Sequence, residues 1–284
     1  MDWWQAIILG LVEGLTEYLP VSSTGHLRLA QQLMGIADTE ASRAYAVCIQ
    51  GGAIVAVLGL YWRRVWQMVL GLIGRNPQGR QLLINIVAGF VPALVLGLLL
   101  EKRIDALMSN LWFTVVAWLL GGIAILVVAQ RRRRMVEAVA QSPAVASPHG
   151  LELFDLTWKM ALIIGFAQCV AMWPGTSRSL MTIVAGVLVG LRLAVAVEFS
   201  FLLGVVTLSA AAGYKGLKYH QTLFDSYGIV PLLIGFLFAF LSAVLAIKWM
   251  VAYLQSHGMA IFGWYRVALA IIVAVLILLN VIAA

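Results

Sequence analysis

Apolar residues run through this chain in blocks of membrane-crossing length. A helix needs roughly 20 apolar residues to cross the hydrocarbon core of a bilayer. Four stretches without a charged residue meet or nearly meet that length: 44–61, 81–100, 111–129 and 226–247. A fifth, 267–284, is also uncharged and is expected to start a few residues earlier, and a sixth, around 193–214, is interrupted by Glu198, which is not expected to face lipid. The pattern predicts six transmembrane helices. Trp62, Trp66, Trp112, Trp158, Trp249 and Trp264 fall near segment ends, where an aromatic belt puts them.

Two further apolar regions break this pattern. Residues 3–35 form an apolar run carrying Glu13 and Glu17, then Pro20, then Val21-Ser22-Ser23-Thr24-Gly25-His26, then a second apolar stretch. Residues 158–191 follow the same plan around Pro174-Gly175-Thr176-Ser177-Arg178-Ser179. Each half is short for a crossing, and each junction holds a proline and a glycine, which break helices. The pattern reads as helix, turn, helix, re-entering from one side; such backbone is tolerated at membrane depth only where it lines a protein cavity. The expected fold class is an all-α polytopic membrane protein with six transmembrane helices plus two re-entrant helix pairs.

Composition and charge agree. Of 284 residues, 63% are hydrophobic and 11% charged, whereas a soluble domain carries about 25% charged residues. Cys48 and Cys169, the only cysteines, lie in apolar runs, which excludes a disulfide-stapled secreted domain. A net charge of +7 would suit nucleic acid if it formed one patch. The basic residues collect in loops instead: Arg63, Arg64, Arg75 and Arg80 in 62–80, and Arg131 to Arg134 in 130–157. Cytoplasmic loops obeying the positive-inside rule look like this, so the expected partner is the lipid bilayer and not nucleic acid. Segment 101–110, where Glu101 and Asp105 offset Lys102 and Arg103, then lies outside, as do loop 214–227, with Lys215 and Lys218, and both termini. Residues 1–5 lack a basic n-region, so no cleavable signal peptide is expected. His149, His220 and His257 sit in loops at unrelated spacings and suggest no metal site.

The two broken regions are copies of each other. With a one-residue gap before the prolines, Gly10 pairs with Gly165, Glu13 with Gln168 and Tyr18 with Trp173, and Pro20-Val21-Ser22-Ser23-Thr24 pairs with Pro174-Gly175-Thr176-Ser177-Arg178. Each motif is followed by three spans, an odd number, so the second copy is inverted, as in many secondary transporters. Residues 1–129 form the first repeat, 130–157 a cytoplasmic linker containing Ser142-Pro143 and Ser147-Pro148, and 158–284 the second repeat. The two tips are expected to meet near the bilayer midplane. Ala6, Gly10 and Gly14 are spaced for close helix packing.

Few ionisable residues fall at membrane depth: Glu13, Glu17, His26, Arg178 and Glu198. Each is costly there and suggests function. Glu13 and Glu17 are four apart and share a helix face. Side by side in a low dielectric they imply a shared proton, a basic partner or a bound cation; the blander reading has one of them only bonding the next turn. At the tips, Ser22, Ser23, Thr24, His26, Thr176, Ser177, Arg178 and Ser179 supply hydroxyls, an imidazole and a guanidinium. Each tip also opens a helix whose unpaired N–H groups favour anions, and Arg presents a fork suited to phosphate oxygens. N-capping explains one hydroxyl per tip, but neither Arg178 nor His26. Base, nucleophile and charge stabiliser together match a hydrolase acting on an anionic ester.

At these residues the chain resembles the undecaprenyl-diphosphate phosphatases, bacterial membrane enzymes also known for conferring bacitracin resistance. The resemblance rests on Glu13-Gly14-Leu15-Thr16-Glu17-Tyr18-Leu19-Pro20-Val21-Ser22-Ser23-Thr24-Gly25-His26-Leu27 and on Trp173-Pro174-Gly175-Thr176-Ser177-Arg178-Ser179, with support from Glu198-Phe199-Ser200-Phe201-Leu202-Leu203 and Tyr265-Arg266. Two departures stand out: Leu180-Met181-Thr182 replaces the family's usual Gly-Ala-Thr, so that Leu180 is expected to narrow the tip, and the span after Leu203 lacks a proline.

The resemblance implies removal of the terminal phosphate from a polyprenyl diphosphate at the outer face of the plasma membrane, returning the carrier lipid used for peptidoglycan. It also implies a divalent cation, calcium or magnesium, held by Glu13 and Glu17. Glu17, Ser23, His26 and Arg178 take the catalytic positions, and Glu13, Ser22, Thr24, Thr176 and Ser177 are expected to contact substrate. Ser23 and His26 are rival nucleophiles. An inverted-repeat transporter or polyprenyl-phosphate flippase is the alternative, although a transporter has no need for Ser23, His26 and Arg178 together.

Overall fold

Lipid offers no hydrogen bonds, so a backbone inside it must satisfy itself, and long runs of Leu, Val, Ile and Ala do so as helix. A computed structural model of the chain describes residues 1–107, 110–140 and 150–283. Ser142-Pro143, Ser147-Pro148 and His149 lie outside the described residues. In chain order the helices are α1 (Trp3–Thr16), α2 (Ser23–Leu33), α3 (Glu40–Leu60), α4 (Trp62–Leu72), α5 (Pro77–Leu107) and α6 (Leu111–Ala140). The second half continues with α7 (Trp158–Cys169), α8 (Arg178–Leu188), α9 (Leu193–Lys218), α10 (His220–Tyr227), α11 (Ile229–Ser256) and α12 (Ala260–Leu278). Six of these, α3, α5, α6, α9, α11 and α12, are long and apolar enough to cross a membrane. The all-α polytopic fold is present. Leu98, Leu99, Leu120, Leu237, Leu245 and Ile271 lie exposed on these helices, which suits lipid and not water.

Several boundaries differ from the sequence expectation. The last span, Ala260–Leu278, starts a few residues before 267 as expected but stops short of 284, because Asn280 takes a left-handed φ of 55° and the following backbone folds back on Leu276 and Ile277. Loops 62–80 and 214–227 contain α4 and α10. The first of these carries Trp62, Trp66, Arg63 and Arg64 on one short amphipathic helix, a composition that settles at an interface. The expected linker also begins late, since α6 continues to Ala140.

Neither helix of either broken pair can cross alone: α1 is 14 residues and α2 11, about 21 and 16 Å at 1.5 Å per residue, against roughly 30 Å of hydrocarbon. The two pairs follow one pattern at a constant step, Trp3 and Trp158, Ser23 and Arg178, and Gly35 and Gly190 each being 155 positions apart. The residue before the second helix has positive φ in both, 76° at Ser22 and 78° at Ser177, and both helices end on a left-handed glycine. This corrects the alignment, which needs no gap. Ser22 corresponds to Ser177 and Ser23 to Arg178, because the unusual backbone at the helix start, and not the proline, marks equivalent positions.

Each pair packs on a long helix of the other half through glycine. A Cβ on Gly10 would meet the Gly235 carbonyl of α11 at 2.5 Å, and one on Gly165 would meet the Gly89 carbonyl of α5 at 2.4 Å. The Ala6-Gly10-Gly14 stripe is therefore spent inside the molecule. Two ion-pair groups mark opposite ends of the bundle. Arg64 of α4 holds Glu198 of α9 at 2.6 Å, near where Arg192 pairs with Glu152. At the other end Glu101 of α5 accepts from Lys215 and Lys218 of α9 at 3.1 and 2.9 Å. Arg64 and Glu152, from 62–80 and 130–157, thus share one end, and Glu101, Lys215 and Lys218, from 101–110 and 214–227, the other.

Packing at Gly14 gives a direct test. A Cβ there would lie 2.2 Å from the Ala239 carbonyl of α11, whereas nothing lies within 4 Å of one on Gly213 of α9. Gly14→Ala is expected to cost about 1–3 kcal/mol through overpacking. Gly213→Ala should be neutral or stabilising by up to about 1 kcal/mol through helix propensity. Thermal unfolding in detergent measures both; equal melting temperatures for the two variants would refute the close contact.

Candidate active site

The break after α1 leaves the carbonyls of Leu19, Pro20 and Val21 outside a helical ladder, and each of them, like that of the N-cap residue Ser22, is met by a side chain. Ser179 Oγ donates to Leu19 O at 2.9 Å, Arg266 Nη1 to Pro20 O at 3.3 Å, Trp118 Nε1 to Val21 O at 3.1 Å, and His26 Nδ1 to Ser22 O at 2.7 Å. The break before α8 is met similarly. Arg266 Nη2 donates to Gly175 O at 3.0 Å, and Trp173 Nε1 ties the turn to Phe113 O of α6 at 3.0 Å. The two tips therefore lie together. Helix α6 runs against both of them, with Thr114 packed between Gly25 and Gly175.

Where the tips meet, Glu17 lies at the end of α1 and Ser23 and Arg178 in the first turns of α2 and α8. One carboxylate oxygen of Glu17 accepts the Ser23 hydroxyl. The other takes Arg178 Nη2 at 3.1 Å. The guanidinium is held on its far side by Ser200 O at 2.9 Å, lies over the Tyr18 ring at 5.2 Å, and fits only because Gly204 has no side chain. Thr182 and Ser200 hydroxyls bond each other at 2.6 Å below it. Glu13 sits one turn before Glu17, fully buried, and neither of its carboxylate oxygens makes a hydrogen bond among the described residues.

Other expected residues divide. Ser22 is buried and contributes backbone, its carbonyl holding His26. Ser177 caps α8 by accepting from Leu180 N at 3.2 Å, and its hydroxyl also bonds Ser179 at 3.0 Å. Thr176 is tied by its N–H to Trp173 O at 3.1 Å, and Thr24 lines a neighbouring cavity. His26 does not bond Ser23; its Nε2 faces Tyr265 Oη at 2.8 Å. Leu180 sends its side chain into the hydrophobic core instead of narrowing the tip. Glu198 is paired with Arg64 near the end of α9, apart from this centre.

Sequence reasoning named Tyr265-Arg266 only in support of the resemblance and gave Arg266 no place among the site residues. Arg266 is fully buried in α12, and its guanidinium reaches four carbonyls, Pro20, Gly175, Ala117 and Trp118, with no carboxylate among its partners in the described residues. Gly121 leaves room for it. A lone arginine in a 19-residue apolar helix was the available signal. The partners of the backbone breaks, Trp118 and Ser179, had no such signal, since tryptophan and serine are ordinary in membrane helices.

A family profile described as bacitracin resistance protein BacA matches residues 6–272. The chain belongs to the BacA family. Its relatives include the undecaprenyl-diphosphatase of Sorangium cellulosum, 42% identical over 96% of this chain and 86% of that protein. Undecaprenyl-diphosphatase 1 of Chromobacterium violaceum is 41% identical over 95% of this chain and 94% of its own length. The undecaprenyl-diphosphatase of Pseudomonas fluorescens is 40% identical over 96% and 94% respectively.

Within this BacA-family chain, Glu13 and Glu17 fit a hard divalent cation. A fully buried carboxylate with both oxygens unbonded is costly unless a cation or a proton joins it. No cluster of three or more His, Cys, Asp or Glu occurs among the described residues, so any such cation must draw its remaining oxygen ligands from hydroxyls, water or phosphate, which is usual for magnesium.

Removing the Arg266 fork would leave buried carbonyls in both tips unsatisfied at once. Arg266→Ala is expected to lose at least about 3 kcal/mol of stability, and Arg266→Lys to recover only part of it, because an ammonium cannot span both turns. Unfolding midpoints in detergent test this; an Arg266→Ala protein that melts with the wild type would refute it.

Proposed function

We propose that this chain is an undecaprenyl-diphosphate phosphatase, a multi-pass membrane hydrolase that converts undecaprenyl diphosphate to undecaprenyl phosphate and inorganic phosphate. This recycles the carrier lipid of peptidoglycan synthesis and underlies bacitracin resistance. One observation carries the chemistry: Glu17 bridges the Ser23 hydroxyl and the Arg178 guanidinium where two helix N-termini converge. Identity near 40% to undecaprenyl-diphosphatases over almost the whole chain supports the substrate and favours a phosphatase over a transporter.

In the proposed mechanism the diphosphate lies between the tips. Ser23 Oγ attacks the terminal phosphorus while its proton passes to Glu17, which already accepts it. The new Oγ–P bond forms as the bond from that phosphorus to the bridging oxygen breaks, and the lipid leaves as its monophosphate. Water then attacks the phosphoserine, releasing inorganic phosphate and restoring the hydroxyl. Arg178 and the N–H groups opening α2 and α8 neutralise charge on the phosphoryl oxygens. A divalent cation, calcium or magnesium, held by Glu13 and Glu17 supplies further charge neutralisation when bound.

His26 suits a supporting part better than the nucleophile's. Its Nδ1 is committed to a backbone carbonyl and its Nε2 to Tyr265, so attack would first require breaking the Tyr265 bond.

The proposed setting is the bacterial plasma membrane, with α1–α2 and α7–α8 re-entering from opposite faces as the broken halves of an inverted repeat. The end bearing Arg64 and Arg192 faces the cytoplasm, and the site opens outward.

Purified protein in detergent should release phosphate from a polyprenyl diphosphate when calcium or magnesium is supplied; no release with either ion would refute the phosphatase. Ser23→Ala and Glu17→Gln should each lower the rate by about 10²–10⁴-fold. Rapid quenching should trap phosphate on Ser23. Label on His26, or a Ser23→Ala protein keeping most of its rate, would overturn the serine mechanism.

A further inference from the structure

Beside the tips, a cavity of about 270 Å³ follows one face of α2, along Thr24, Leu27, Arg28 and Gln31. Positions i, i+3, i+4 and i+7 form a continuous helical stripe. The cavity starts at Thr24, the neighbour of Ser23. It runs away from the tips to the end of the bundle where Lys215 of α9 and Ile104 of α5 close it, with Arg43, Val47 and Gln50 of α3 as the opposite wall.

The guanidiniums around it are incompletely matched. Arg28 and Arg43 share a single carboxylate, Asp38, at 3.9 and 3.0 Å. At the far end Lys215 and Lys218 both bond Glu101. Glu40 is the one carboxylate lining the cavity among the described residues. Arg28 Nη1 is buried and makes no hydrogen bond among the described residues. A buried unbonded donor on a charged group is costly, and an oxyanion with several acceptors removes that cost. Guanidinium forks match phosphate oxygens, and the apolar walls from Leu27, Ala44 and Val47 keep the local dielectric low, which strengthens the attraction.

We infer that this cavity is a phosphate-binding subsite distinct from the Ser23 centre, filled by phosphate oxyanion on its way between the tips and the aqueous end of the bundle. The inference rests on the phosphatase reading and extends it. Two sources share this chemistry: inorganic phosphate leaving after hydrolysis of the phosphoserine, and the head group of an arriving lipid diphosphate.

The test uses the full chain in detergent, with Arg28→Gln, Arg28→Lys and Arg43→Gln. Arg43 is a half-exposed side chain, so Arg43→Gln keeps the test open should Arg28→Gln fail to fold. Calorimetric titration of inorganic phosphate, which needs no turnover, should show Kd weakened about tenfold or more by Arg28→Gln and less by Arg28→Lys. Inhibition of hydrolysis by added phosphate should weaken in parallel. An unchanged KM for a short-chain prenyl diphosphate would identify the leaving product as the occupant, and a raised KM with unchanged phosphate inhibition the arriving head group. Wild-type protein that binds no phosphate, or variants within about twofold of wild type in Kd, inhibition and KM alike, would overturn the subsite. A wild type that binds phosphate but hydrolyses no diphosphate would count against the phosphatase and leave the subsite standing.

Discussion

The meeting of the two tips depends on feeding hydrogen bonds to a backbone that is broken where it is buried. Lipid penalises an unpaired carbonyl by several kcal/mol, and two helix breaks expose a row of them. Arg266 serves both breaks with one side chain, since its planar fork reaches the turn at Pro20, the turn at Gly175 and the carbonyls of α6. Its charge is spread over carbonyl dipoles and not matched by a carboxylate. A carboxylate beside it would compete for the fork and loosen the tie between the tips.

That scaffold explains why the reactive groups can be so few. Ser23 and Arg178 occupy equivalent positions at the starts of equivalent helices, so a pseudo-symmetric backbone presents a hydroxyl on one side and a guanidinium on the other. The preceding residues, Ser22 and Ser177, hold φ near +77°, a conformation that non-glycine residues adopt at a cost of about 1–3 kcal/mol and that clusters at functional sites. Glu17 joins the two halves. Glu13, one turn away, is left buried with its oxygens unbonded, a costly state that a diphosphate bound with a cation would relieve.

Much was legible in the sequence. Hydrophobic block length dictated six crossing helices, because lipid thickness sets a minimum apolar run. Proline, glycine and serine clusters dictated where two more helices break, because those residues end helical hydrogen bonding. The four-residue spacing of Glu13 and Glu17 put both on one face, and the scarcity of charge in an apolar chain made Glu17 and Arg178 conspicuous without any coordinates. The repeat could be seen too, although its register was off by one past the prolines, since side-chain identity is a weaker guide than backbone conformation.

Tertiary structure alone decided which of these residues meet. Glu17 and Arg178 are 161 positions apart and form one ion pair, whereas Ser23 and His26, three apart, face different partners. Glu198 resembled a buried site residue in sequence and proved to be an ion-pair partner of Arg64 near a helix end. The apolar pattern of a membrane helix records only whether a face meets lipid or protein. It carries no information on which other helix supplies the partner, so the sequence determined the fold class and the reactive inventory, and packing of the tips against α6 and α12 decided the site.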